Sequence, residues 1–231
     1  MNKIYILNIN FKYNETDQVI HPVILKDKNY MVLVDCGYPG FLPLIEDAMK
    51  LEGLECSQLT HVVITHQDYD HIGSLSDLKQ RYPQIKVVSS IQESPYISGD
   101  IKSLRLEQAE KMQESLPEDQ KSFGEFFCNT LRSVETAKVD ITVNDGDQFD
   151  WCGGCQILST PGHTPGHISL YVIEEKALIT GDAAALENGT LVIANPQFTL
   201  DLECAAKSLE KINNLGAKRY ICYHGGVLDR I

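Results

Sequence analysis

An α+β fold, two β-sheets packed together with helices on their outer faces, is what the chain predicts, and three observations carry it. Short β-branched runs of strand character dominate each half. Helical segments follow the runs that end in chemically reactive residues. Between the halves, from about residue 94 to 134, the pattern turns polar and helical, which marks an insertion. A length of 231 residues fits one domain spanning 1–231, insertion included, and is ample for a sizeable core.

Residues 3–12 and 19–36 read as consecutive strands, joined through Tyr13-Asn14-Glu15-Thr16-Asp17 and then Lys26-Asp27-Lys28-Asn29, an antiparallel start. The second ends in Met31-Val32-Leu33-Val34, which runs into Asp35-Cys36-Gly37. Leu42 to Leu51 has the spacing of an amphipathic helix. His61-Val62-Val63-Ile64-Thr65 is a buried strand, Leu75 to Lys79 a helix, and Lys86 to Ser90 another strand. In the insertion the apolar residues are Leu104, Leu106, Met112, Leu116, Phe123, Phe126, Phe127 and Leu131. Packing against the body, a lid and a subunit contact are the roles open to its aromatic cluster. Strands return at Ile141–Val143, Gln148–Trp151, Cys155–Ser159, His167–Ile173 and Ala177–Thr180. Asn144-Asp145-Gly146-Asp147 and Glu174-Glu175-Lys176 supply turns. A helix from Asp201 to Leu215 precedes the last strand, Arg219–Tyr223.

A hydrophobic share of 43% with 23% charged residues is that of an ordinary globular protein. No run approaches the roughly 18 apolar residues that a membrane span needs, so no membrane partner is expected. A formal charge of −12 argues against nucleic acid. Seven scattered cysteines suggest reduced thiols, and the amino-terminal strand pattern lacks a secretory cleavage site; both point to the cytoplasm. A small-molecule substrate is the expected partner, and a homodimer is left open.

The run Thr65-His66-Gln67-Asp68-Tyr69-Asp70-His71-Ile72-Gly73 packs two imidazoles and two carboxylates into a loop between a strand and a helix, where sites in α/β architectures are usually built. Three later segments have the same strand-then-ligand form: Pro161-Gly162-His163, Thr180-Gly181-Asp182 and His224-Gly225-Gly226. Asp35 and His167 are expected to support these groups rather than to bind metal. His21 and His61 read as plain strand residues, and Cys152-Gly153-Gly154-Cys155 as a hairpin turn.

In these motifs the chain resembles the metallo-β-lactamase fold superfamily, whose pattern is His-x-His-x-Asp-His followed by a Pro-Gly-His turn, an aspartate after Thr-Gly and a carboxyl-terminal histidine. The resemblance runs from Asp35 to His224 and implies a four-layer αβ/βα sandwich with a two-metal site. His66, Asp68 and His163 would hold the first metal, Asp70, His71 and His224 the second, and Asp182 would bridge them. Imidazole and carboxylate donors suit zinc, with iron or manganese as alternatives.

Asp68 departs from the pattern, standing where most members carry their second histidine, and two roles are open to it: a metal ligand, or an acceptor that orients a ligating histidine. Counted with two divalent metals, Asp70, Asp182 and one hydroxide, it brings the site's charge to zero, so a less acidic metal with harder ligation is expected. The flavodiiron branch also has an acid there, but a glutamate, usually with a flavodoxin module that this chain is too short to include. The implied activity is metal-dependent hydrolysis, in which a metal-bound hydroxide attacks an ester, thioester, lactone or amide, with Asp70 ligating metal and accepting a hydrogen bond from the nucleophile. Glyoxalase-II-like and lactonase-like small hydrolases are the nearest in pattern. The alternatives are an iron-dependent oxidoreductase or oxygenase of the same fold, and a metal-binding protein without catalysis.

Overall fold

A computed structural model describes residues 2–13 and 15–230. Its first half builds β1 (Lys3–Ile6), β2 (Ile9–Tyr13), β3 (Thr16–Ile20), β4 (Val23–Lys26) and β5 (Met31–Val34), then α1 (Leu42–Leu51), β6 (His61–Val63), α2 (Tyr69–Ile72), α3 (Leu75–Arg81), β7 (Lys86–Ser90) and α4 (Ser94–Ile97). The insertion supplies α5 (Leu104–Ser115) and α6 (Lys121–Arg132), and β8 (Ile141–Val143) follows. The second half contains β9 (Gln148–Phe149), β10 (Cys155–Ser159), β11 (Ile168–Val172), β12 (Ala177–Ile179), β13 (Ala185–Glu187), β14 (Thr190–Val192), α7 (Leu202–Asn213), β15 (Arg219–Cys222) and β16 (Gly226–Asp229).

Two six-stranded sheets result, ordered β1-β4-β5-β6-β7-β8 and β16-β15-β12-β11-β10-β9, with β2-β3 and β13-β14 as separate hairpins. The first is antiparallel at its β1 edge and parallel from β5 to β8. In β5 all four residues are buried because both faces are covered. Val32 and Val34 meet Ile157, Leu170 and Ile221 between the sheets, while Met31 and Leu33 turn outward to Ile45 and Met49 of α1 and Leu75 and Leu78 of α3. On the far side, Leu178 and Tyr220 pack with Ile212 of α7. The layers are therefore helix, sheet, sheet, helix, the expected αβ/βα sandwich with an inserted helical pair. Among the described residues, no helix is long and apolar enough to cross a membrane.

Two of the helices open on a side-chain cap. Ser103 accepts from Leu106 N at 3.1 Å to open α5, and Asp201 accepts from Cys204 N at 2.9 Å to open α7. Ridge residues Leu42, Ile45 and Met49 give α1 its buried face.

Several expectations are corrected. The first predicted strand divides at Leu7 and Asn8: β1 joins the main sheet beside β4, whereas β2 and β3 form a separate hairpin. The expected turn at Asn14 lies outside the described residues. His21 follows β3 rather than lying in it. The strand predicted to reach Trp151 stops at Phe149, since a short turn at Trp151–Gly153 places Cys152 at φ 52°. Cys152 and Cys155 are buried free thiols. Arg219–Cys222 is not the last strand, because the chain reverses through glycines into β16. In the insertion Ala109, Cys128 and Leu131 form a buried apolar cluster, with Leu106 and Phe127 packed beside them, while Met112, Phe123 and Phe126 are exposed. The two helices are too short to cover every apolar residue on both.

Candidate metal centre

β6 brings the chain to His66 at the carboxyl end of the first sheet. The loop ends sooner than the sequence suggests: Asp70 and His71 lie on α2, because His71 N and Ile72 N both return to the Asp68 carbonyl, at 2.9 and 3.1 Å. Gly73 then permits a close crossing. A Cβ there would lie 2.2 Å from Pro39 N, and Gly73 N donates to Gly37 O at 2.8 Å. Gln67 and Tyr69 line a cavity of about 300 Å³ under the insertion.

The distal segments arrive from the second sheet. His163 sits in the turn between β10 and β11, Asp182 follows β12, and His224 follows β15. Gly162 lies against α7, where a Cβ would meet Ala205 N at 2.2 Å. All seven predicted residues come together. Asp68 Oδ2 lies 3.0 Å from His163 Nε2 and 3.6 Å from His66 Nε2. Asp70 Oδ2 lies 3.3 Å from His224 Nε2 and 3.7 Å from His71 Nε2. Asp182 faces both groups, with Oδ1 3.4 Å from His71 Nε2 and 3.6 Å from His224 Nε2, and Oδ2 3.5 Å from His163 Nε2. Donor atoms of His66, Asp68 and His163 fall within 4.8 Å of one another, as do those of Asp70, His71 and His224.

The outer hydrogen bonds orient these rings. Thr65 Oγ1 donates to Asp35 Oδ2 at 2.9 Å, so toward His66 Nδ1, 3.0 Å away, it acts as acceptor. That leaves the His66 Nε2 lone pair directed at the centre. His71 Nδ1 is held by Asp35 Oδ2 at 2.8 Å, with the same effect. The Nε2 atoms of His66, His71 and His224 and Asp182 Oδ1 are buried with no hydrogen-bond partner. Four orphaned polar atoms around one point are costly unless a cation sits among them, so the donor set fits divalent metal.

The charges agree. Burial disfavours the imidazolium of His71, yet Asp35, Asp182 and Asp70 raise its pKa well above the ordinary value. Burial likewise opposes, and Asp182 and Asp70 overcome, the rise at His224. The pocket favours positive charge, whether proton or metal ion.

Asp35 and His167 both hydrogen-bond to residues of the donor set. His167 Nε2 accepts from Asp182 N at 2.9 Å and its Nδ1 meets Thr160 Oγ1 at 2.9 Å, which uses both ring nitrogens. Asp35 occupies φ 60°, a region that asparagine tolerates. Asp35→Asn is therefore expected to preserve the fold but lower metal affinity by about 10- to 100-fold, measured by competition with a chromogenic chelator.

Two partners carry no sequence signal. Arg105 of α5, 3% exposed, places Nη2 2.5 Å from Asp68 Oδ2. Burial would raise the Asp68 pKa, but Arg105, the hydrogen bond from His163 and the neighbouring His66 ring hold it well below the usual carboxylate range. The expectation that Asp68 makes the site less positive did not count this cation. Glu93, fully buried, accepts from Gln67 N at 3.0 Å and Gln67 Nε2 at 3.1 Å, and from Thr164 Oγ1 at 2.8 Å and Gly166 N at 2.9 Å. It ties the loop after β6 to the His163 turn.

A family model described as the metallo-beta-lactamase superfamily matches residues 17–224. The chain is 28% identical over 207 residues to the probable metallo-hydrolase YflN of Bacillus subtilis, covering 84% of this chain and 75% of that protein. To a hydroxyacylglutathione hydrolase of Rhizobium meliloti it is 26% identical over 161 residues, covering 69% of this chain and 46% of that one. It thus spans 46% to 75% of the length of these two relatives. The solved metallo-beta-lactamase family protein TTHA1429 of Thermus thermophilus superposes with a TM-score of 0.76 at 22% identity, covering 98% of this chain and 74% of that one, a likeness of fold.

Proposed function

The chain belongs to the metallo-β-lactamase superfamily, and from that premise we propose that it is a metal-dependent hydrolase acting at the carbonyl of an ester, thioester, lactone or amide. The observation that carries the reading is the convergence of seven donor residues, four of whose polar atoms are buried without a partner. His66, Asp68 and His163 would hold one divalent ion, zinc before iron or manganese, and Asp70, His71 and His224 a second, with Asp182 between them. Such ions supply a lowered pKa for a coordinated water and polarisation of a carbonyl oxygen.

The chain's own residues set the direction of approach. His66, His71 and His163 are buried, whereas the side chains of Asp70 and His224 are 13% and 24% exposed, so substrate reaches the site over these two. Asp70 is placed there to accept a hydrogen bond from the attacking water and steer its lone pair. Burial and the nearby Asp70 raise the Tyr38 phenol's pKa, which keeps it a proton donor beside the same edge. An aromatic wall continues from Tyr38 to Tyr69 at 5.2 Å, to Phe127 at 6.0 Å and to Phe198 at 6.2 Å between ring centroids. The cations near it are engaged, Arg105 by Asp68, and Lys102 and Arg132 both by Glu110. These features support an apolar acyl group as the recognised portion. The similarity to a hydroxyacylglutathione hydrolase supports a thioesterase-like subtype, with a lactonase-like one beside it. Seven free cysteines support a cytoplasmic setting.

The test is zinc-loaded protein against phenyl esters, acyl thioesters and lactones of increasing chain length. Hydrolysis is expected, falling to background in His66→Ala, Asp70→Ala and His163→Ala, with KM dropping as the acyl chain lengthens. Undiminished turnover in those variants would remove the assignment. Inert zinc protein would favour binding without catalysis, and oxygen uptake by iron-loaded protein would favour the oxidoreductase.

A further inference from the structure

Asp68 stands where the superfamily pattern carries a histidine, and the residue that accompanies it is a buried arginine. Arg105 Nε donates to both Asp68 oxygens at 3.2 Å, and Nη2 donates to Oδ2 at 2.5 Å. Nη1 donates to the Phe198 carbonyl at 2.5 Å and to Gln108 Oε1. Every guanidinium nitrogen thus has an acceptor within the protein, so this is not a cation held ready for a substrate anion. Thr199, next in the chain after Phe198, places Oγ1 3.4 Å from His163 Nδ1. One side chain therefore braces Asp68 and the segment behind His163.

We propose that Arg105 is a charge-compensating positioning residue, so that Asp68 and Arg105 together form a neutral donor unit doing the electrostatic work of one histidine at the first metal position. This rests on the metal-binding reading above. A carboxylate in place of an imidazole lowers the site's charge by one, and the guanidinium restores it. The compensation acts on the donating atom itself, because Oδ2 faces His66 and His163 and is also the oxygen that Nη2 holds. In a poorly screened interior a guanidinium one hydrogen bond behind that oxygen also repels a divalent ion. The sign of its effect on affinity therefore separates compensation from mere anchoring.

The experiment compares zinc-binding calorimetry, and thermal unfolding of the metal-stripped protein, in wild type, Arg105→Gln, Asp68→His and the double variant, with Arg105→Lys as the charge-retaining control. Arg105→Gln is expected to bind zinc at one position at least about tenfold tighter, and Asp68→His at least about tenfold weaker, on the scale by which surrounding partners tune metal sites. The double variant and Arg105→Lys are expected to stay within about threefold of wild type. Stripped single variants should unfold earlier, and the double variant should regain most of the loss. Weaker zinc binding in Arg105→Gln, or additive losses across the cycle, would overturn the proposal while leaving zinc binding in wild type intact. If Arg105→Gln fails to fold, a double variant or Arg105→Lys that departs from wild-type affinity by more than about tenfold overturns it. Absence of zinc binding in wild type would instead overturn the metal reading, and this proposal with it.

Discussion

Asp182→Asn is expected to cut hydrolysis sharply and, on the two-zinc reading proposed above, to cost the protein one of the two ions. Asp182 is the residue whose two oxygens face different halves of the site, Oδ1 toward His71 and His224 and Oδ2 toward His163. Burial opposes its ionisation, yet His224, His71 and His163 hold its carboxyl well below the ordinary range, so it carries full negative charge at neutral pH. Asparagine keeps the shape but loses the charge and one acceptor. The expected fall in kcat/KM is about a thousandfold, roughly 4 kcal/mol of barrier, with zinc content read by plasma emission. Two equivalents of zinc and unchanged turnover would exclude Asp182 from the ligand set.

The second large effect belongs to Glu93. Glu93→Ala leaves Gln67 N, Gln67 Nε2, Thr164 Oγ1 and Gly166 N without their acceptor in a buried place. At about 1–3 kcal/mol for each buried unsatisfied group, with incomplete additivity, a loss of at least about 3 kcal/mol is expected in urea unfolding. Glu93→Gln retains the volume and one acceptor oxygen but turns an amide toward two donors, so a loss of about 1–3 kcal/mol is expected. Because Glu93 joins the loops that carry His66 and His163, both variants should also bind zinc more weakly. A urea midpoint unchanged in Glu93→Ala would show that water replaces the carboxylate at no cost.

The legibility of the fold follows its burial. β7, β8 and β10 match their predicted spans because buried strands read as short apolar runs between turn residues. β13, β14 and β16 have no counterpart among the predicted strands, being short and next to glycines. The seven donors are legible because each sits in a local string at the end of a strand, such as Pro161-Gly162-His163. Arg105 and Glu93 have no such string. Their roles arise from contacts with residues distant in the chain, Asp68 for one and Thr164 and Gly166 for the other. Arg105 lies in a stretch whose polar pattern marks a helical insertion and singles out no charged residue. The aromatic residues there are visible by type, but only their packing separates Phe127, beside Tyr69, from the exposed Phe123 and Phe126.

The division of the donors between the sheets has a consequence for how the protein reaches its working state. His66 to His71 follow β6 of the first sheet, whereas His163, Asp182 and His224 come from the second, and His21 N closes on Tyr223 O at 3.0 Å across almost the whole chain. Neither sheet alone carries a complete pocket, and contacts this distant in sequence form late because loop-closure entropy must be met first. On the metal-binding reading, metal capture reports completed folding. Zinc added during refolding should leave the early steps at their metal-free rate and act afterwards, by slowing the unfolding of chains that have already docked both sheets.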